Sequence, residues 1–387
     1  FFGKVKMQTP ETEAALADAI KSANGPLSIV GGGTRGMAQE GETLSARALS
    51  GITLYEPGAL TLVAQAGTTV EEIDKALAKE GQRLAFEPMD HRGLLGTRGA
   101  PTIGGVVAAN ISGPRRIQGG SARDYALGVR FVDGTGTIVK NGGRVMKNVT
   151  GYDLVKLMAG SHGTLGVLTE VSLKVLPIPE TQGTLLLRSL DDRAAIAAMS
   201  RAMGSPFEVT GAAHCSKIDS QTPVTMLRIE GFEASVQYRL EALKDLLADT
   251  GAEMEIAGAE MSAGLWESIR DAHVAQELEG DVWRVSCKPS EASALTERSG
   301  AKGWYFDWGG GLIWFRTEPG TDLRAHLGTY EGHATLVRAS DDAKASLPRF
   351  QPEAAGVARL SAGLRARFDP RGILNRGLMG PVLAEGV

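Results

Sequence analysis

Cysteine is nearly absent: Cys215 and Cys287 stand far apart in 387 residues, outside any C-x-x-C spacing. That excludes a disulfide framework. It also excludes an iron–sulfur cluster ligated by this chain alone, which takes about four ligands. No basic run offers counter-charges to a row of phosphates, and the formal charge is −4, so nucleic-acid binding is not expected. No apolar stretch approaches the ~20 residues of a spanning helix, and no signal-peptide core is visible. A cytoplasmic protein is therefore expected. The sequence opens on Phe1 rather than methionine, which leaves room for an upstream segment.

What is present reads as ordinary globular protein, with 43% apolar and 22% charged residues. The length suits two or three packed domains. Glycine is the outlier at 50 residues, with its excess before Gly166. Glycine concentrates where backbone approaches a ligand or takes positive φ. Thr9-Pro10-Glu11 predicts a helix start, with Leu16, Ala19, Ile20 and Ala23 on one face. A short strand over 26–30 then runs directly into Gly31-Gly32-Gly33-Thr34-Arg35-Gly36. A second unit follows, with a strand over 60–66 and a helix over 70–79 opened by a Thr69/Glu72 capping box. Leu165–Val175 reads as a strand ended by Pro177 and Pro179. From about 183 to 338 helices alternate with strands, as in a separate α+β domain over an antiparallel sheet.

Three loops carry the chemistry. Consecutive glycines at 31–36 let several N–H groups converge on one anion, which suits a diphosphate, although a tight turn explains them equally well. The Lys-Ser/Thr of a Walker A loop is missing, and no amphipathic helix follows Gly36, so a nicotinamide Rossmann turn fits badly. Thr102-Ile103-Gly104-Gly105 is expected to open a short helix whose free N–H groups point at phosphate, with close helix–strand packing as the alternative. The third segment runs from Lys147-Asn148-Val149-Thr150-Gly151 to Gly163-Thr164-Leu165-Gly166. Together the three suit a long, bent ligand.

These loops and the Thr169-Glu170 strand resemble the FAD-binding domain of the vanillyl-alcohol-oxidase (PCMH) type. More narrowly, Gly113-Pro114-Arg115-Arg116, Gly142–Asn148, Asp307-Trp308-Gly309-Gly310, Gly332-His333-Ala334-Thr335 and the Asp369-Pro370…Asn375 tail resemble the FAD-binding subunits of glycolate oxidases. The resemblance implies an α+β fold: a two-lobed FAD domain over 1–180 (lobes about 1–55 and 56–180), a second domain over 181–340, and a segment over 341–387 that returns to the FAD domain. It implies that Gly31, Gly32, Gly33, Thr34 and Arg35, with Thr102, Ile103, Gly104 and Gly105, hold the pyrophosphate. Pro88, Asn110 and Gly113 would line the flavin cleft, Gly166 and Val167 would face adenine, and Asn375 would approach the isoalloxazine. Covalently flavinylated relatives carry a histidine at the first glycine loop; here Arg35, Met37 and Ala38 stand there, so FAD is expected to be non-covalent. The implied partners are a D-type FAD subunit and an iron–sulfur subunit, with glycolate or a similar 2-hydroxy acid as substrate and any membrane contact made through partners.

The sequence also departs from the pattern. The tail reads Asn375-Arg376-Gly377 instead of Asn-Pro-Gly-Arg or Asn-Pro-Gly-Lys. Ile313 stands where relatives place an arginine, and the His-x-Gly-Asp-Gly-Asn metal segment of the sister D subunit is missing. No metal is expected. His333, Arg284 and Arg338 are the candidates for fixing a carboxylate and taking its hydroxyl proton, each also readable as a solvated strand-end residue. Trp304, Phe306 and Trp308 alternate on one strand face, with Trp314 on the neighbouring strand; the core face of the sheet is the preferred reading, and capping the flavin or a partner is the alternative. Two readings stay open: a subunit whose flavin oxidises the acid, and a non-catalytic electron-transfer or scaffolding subunit. The departures lead to the expectation that the isolated chain oxidises glycolate poorly.

Overall fold

The computed structural model describes residues 7–37, 39–144, 151–216, 222–276 and 279–380. Two units separate by their internal contacts. Unit 1 comprises the chain up to Ser112, Gly120–Ile178 and the chain from Pro352; unit 2 comprises Gly113–Gly119 and Pro179–Gln351. The expected segment Lys147–Thr150 lies outside the described residues.

In unit 1 the first helix spans Glu13–Ser22. Its cap is Thr12, whose side chain accepts from the Ala15 N–H, so the start lies three residues beyond the expected Thr9. Leu16, Ala17 and Ile20 bury its inner face. A small parallel sheet orders Met7–Gln8, Glu42–Ser45 and Leu27–Val30. The tail extends its edge: Leu27 N donates to Ile373 O at 2.7 Å, and Asn375 N to Leu27 O at 3.0 Å. A five-stranded antiparallel sheet orders Ile52–Glu56, Thr61–Gln65, Val167–Lys174, Ala126–Val132 and Ile138–Gly142. Its central strand, Val167–Lys174, is almost wholly buried, and Phe131, Val171 and Leu173 anchor the core. Helix Val70–Ala78 packs Ile73 and Leu77 there, with Thr69 accepting from Glu72 N as its cap.

Unit 2 is an eight-stranded sheet, ordered Glu253–Ala257, Thr181–Arg188, Val224–Gly231, Gly211–Cys215, Gly303–Asp307, Leu312–Thr317, Asp281–Cys287 and Gly332–Arg338. Every neighbouring pair is antiparallel. Alternation sorts its side chains onto two faces. Leu185, Leu187, Trp283, Val285, Phe306, Ile313 and Phe315 meet helices Asp192–Met203 and Glu233–Leu247 in the main core. The other face carries Arg228, Arg284, and Tyr305 stacked on Trp314 at 6.2 Å. Helix Ala259–Arg270 covers part of that face, with Trp266 Nε1 donating to Thr184 Oγ1 at 2.8 Å. Among the described residues, no helix is long and apolar enough to cross a membrane.

Candidate functional site

Strand Leu27–Val30 delivers the chain into the glycine run, where Gly33 takes φ +72°. A β-carbon there would meet nothing within 4 Å. The main-chain N–H groups of Gly32, Gly33 and Thr34 donate to no described residue. Gly33 is exposed, Gly32 half-buried and Thr34 buried, so these donors are open to an acceptor entering the cleft, the nest geometry that suits a diphosphate. The cleft, about 670 Å³, is walled by Gly31–Gly36, Met37, Met89, His91, Thr102 and Gly105. A second, about 460 Å³, shares Gly31, Arg35, Thr102 and Gly105 and continues to Gly104, His162, Gly166, Val167 and Asn375.

Helix Ile103–Ala108 corrects an expectation. Its leading N–H groups are not free: Ile103 donates to Thr68 O at 2.9 Å, Gly104 to Ala66 O at 2.8 Å, and Gly105 to Thr102 Oγ1 at 3.3 Å. The helix is pinned against the end of strand Thr61–Gln65, which consumes the amides expected to meet phosphate. A β-carbon on Gly104 would stand 2.5 Å from Ala66 Cβ, so Gly104 serves packing and Gly105 faces the cleft. The open donors therefore belong to the first loop.

The other expected positions are distributed as follows. Gly166 and Val167 line the second cleft. Asn375 lines it too, but both ends of its amide are engaged: Oδ1 accepts from Ile29 N at 2.7 Å and Nδ2 donates to His162 O at 2.8 Å. Pro88 and Asn110 sit beside lining residues, Met89 and Ile111, without being part of the wall. Asn110 Oδ1 accepts from Arg123 N at 2.9 Å. Gly113 belongs to unit 2, where its carbonyl accepts from Trp308 Nε1 at 3.0 Å. His91 and His162, given no weight from sequence, both line the clefts.

In unit 2, Arg284 pairs across its strand with Thr335 and Ser286 with His333, so Arg284 and His333 are diagonal neighbours on one face. Such positions lie about 7–8 Å apart, within reach of long side chains. Arg338 does not join them. The register shifts between Val282 and Trp283, and the Arg338 guanidinium donates to the carbonyls of Gln276 and Gly280, each at 3.3 Å. Ile313 is fully buried on the opposite, core-facing side. The side chain at that position therefore does not face Arg284, and one ground for expecting poor oxidation by the isolated chain falls away. Trp304 and Phe306 belong with the core, whereas Trp308 lies beyond the strand in the turn after Asp307.

This architecture and the open loop define a class. Residues 7–142 match the family described as FAD binding domain. The fold resembles solved alkyldihydroxyacetonephosphate synthase, with a TM-score of 0.68 at 17% identity, covering 95% of this chain and 76% of that one. The chain is an FAD-linked oxidoreductase, and FAD is its cofactor. More narrowly, it is 34% identical over 359 residues to glycolate oxidase subunit GlcE of Escherichia coli (strain K12), covering 92% of each chain, and it belongs to that family of FAD-binding glycolate oxidase subunits. It is also 39% identical over 127 residues to glycolate oxidase subunit GlcD of Bacillus subtilis (strain 168), covering 33% of this chain and 26% of that one. Against D-2-hydroxyglutarate dehydrogenase of Xanthomonas citri pv. viticola the identity is 33% over 174 residues, 45% of this chain and 35% of that one.

Proposed function

We propose that this chain is the FAD-bearing subunit of a complex that oxidises glycolate or a similar 2-hydroxy acid, with FAD held non-covalently. The open amides of Gly32, Gly33 and Thr34 carry this reading, because they supply donors for a diphosphate in a cleft that Gly105 keeps clear. When bound, FAD supplies a two-electron acceptor for the hydride lost from the acid. The protein's own residues orient the cofactor by its phosphates and shelter it between Met37, Met89 and Val106. Onward transfer is assigned to partners, since two scattered cysteines cannot hold an iron–sulfur cluster. Burial, reinforced by Asp307, pushes Cys215 up to about 12; burial, reinforced by Glu291, does the same for Cys287.

The partners are a D-type flavoprotein and an iron–sulfur protein. A second reading, favoured by the missing His-x-Gly-Asp-Gly-Asn segment, gives the substrate chemistry to the D-type subunit and leaves this flavin an electron carrier. Co-expression with both partners tests the shared part. The three chains are expected to elute together, and anaerobic glycolate is expected to bleach the flavin of this chain while one glyoxylate forms for each flavin reduced. Separate elution at micromolar concentration, or a flavin here that stays oxidised, would contradict the proposal.

A further inference from the structure

We propose that Arg284, Arg116 and His333, gathered round Trp308 in unit 2, form a binding site for a small carboxylate, with a 2-hydroxy acid as the best-fitting class; this rests on the oxidoreductase reading above. Three observations carry it, and the first is strain. Trp308 holds φ +54°, a left-handed conformation that a bulky side chain rarely adopts and that is retained where surroundings enforce it. Asp307 Oδ1 enforces it by accepting from Trp308 N at 2.7 Å, and the buried indole then donates to Gly113 O at 3.0 Å. The indole thereby pins the short segment that carries Arg116.

The second observation is charge. Arg116 and Arg284 each place the guanidinium carbon 4.9 Å from the centre of the Trp308 ring. The two charges are thus no further apart than about a Debye length, ~8–10 Å. Arg284 makes this cation–π contact and no hydrogen bond or ion pair among the described residues, so its planar fork of donors is unused. Burial, and then the charge of Arg116, lower its pKa to about 10, so it remains charged at neutral pH. Asp307 is the carboxylate that opposes this trend. A small carboxylate at the unused Arg284 fork would also lie within the field of the second guanidinium.

The third is a neutral acceptor beside the Arg284 guanidinium. Desolvation, then Arg284 and Arg116, hold the His333 pKa below its ordinary value, so the imidazole is uncharged at neutral pH. It makes no hydrogen bond among the described residues. A ligand with a carboxylate for the Arg284 fork and a hydroxyl one carbon away for His333 satisfies both groups; acetate satisfies only the first. Arg338, turned to its own carbonyls, contributes nothing here.

The test is calorimetric titration of the full FAD-loaded chain with glycolate, acetate and inorganic phosphate. Glycolate is expected to bind about tenfold more tightly than acetate, as one hydrogen bond of ~1.4 kcal/mol implies, and more tightly than phosphate. Arg284→Gln is expected to weaken glycolate at least about tenfold, the loss of a charge-assisted contact, with FAD content unchanged. His333→Ala, at a more exposed position, is expected to bring glycolate down to the acetate level and leave acetate alone; this arm stands even where the Arg284 variant fails to fold. Undiminished glycolate binding in folded Arg284→Gln, tighter binding of phosphate, or no glycolate binding by flavin-loaded chain would overturn the proposal. Loss of flavin from the unmodified chain would instead count against the FAD reading, so the two failures are told apart.

Discussion

Replacing Gly33 with valine is expected to leave a folded but colourless chain. The native residue has φ +72° and open space beyond it, so a branched side chain would both strain the loop and stand in the cleft. The left-handed conformation alone costs an L-residue roughly 1–2 kcal/mol. Relaxing away from it turns aside the amides of Gly32, Gly33 and Thr34, and each hydrogen bond to a charged group is worth about 1.5–3 kcal/mol. Losing two of them weakens FAD on the order of 1000-fold, at ~1.4 kcal/mol per factor of ten. Fluorescence titration of the apo-chain with FAD, alongside thermal unfolding, measures both consequences. Full flavin occupancy in this variant would move the diphosphate elsewhere. Gly104→Val is no substitute experiment, because its side chain would collide with Ala66 and destabilise the fold itself.

Glu230→Gln is expected to lower the stability of unit 2 by about 3–5 kcal/mol, the usual cost of stranding one partner of a buried ion pair. Arg115 pairs with Glu230 where the side chains are only 8% and 4% exposed. Arg228 Nε lies 3.6 Å from the same carboxylate oxygen, so the variant leaves two guanidinium groups short of their counter-charge. For a unit of this size the midpoint of unfolding should fall by roughly 10 °C. Function should follow structure here. The pair tethers Gly113–Gly119 to the sheet, and that segment presents Arg116. Thermal unfolding and glycolate titration of the same variant check the link; unchanged stability would show that something else holds the segment.

The first glycine loop was legible because a glycine run directly after a short apolar strand has few uses. The antiparallel second domain and the Thr69 cap were legible for similar local reasons. The committed amides of Ile103 and Gly104 were not, since their acceptors, Thr68 and Ala66, are reached only when the helix packs on a distant strand end. Alternation put Trp308 on a face with Trp304 and Phe306, but the strand stops at Asp307 and the next residue turns left-handed. Arg338 was grouped with Arg284 by residue type and strand position; one register shift, invisible in composition, sends its guanidinium to other carbonyls. Arg116 lies so far from Arg284 in sequence that only the tertiary fold brings them to one indole.

The central claim is that this chain holds FAD without a covalent bond, through the open amides of its first loop. Acid precipitation of the purified protein tests it most directly. A yellow supernatant containing about one intact FAD per chain and a colourless pellet are expected. A pellet that keeps its flavin, or purified chain that neither carries FAD nor takes it up, would contradict it.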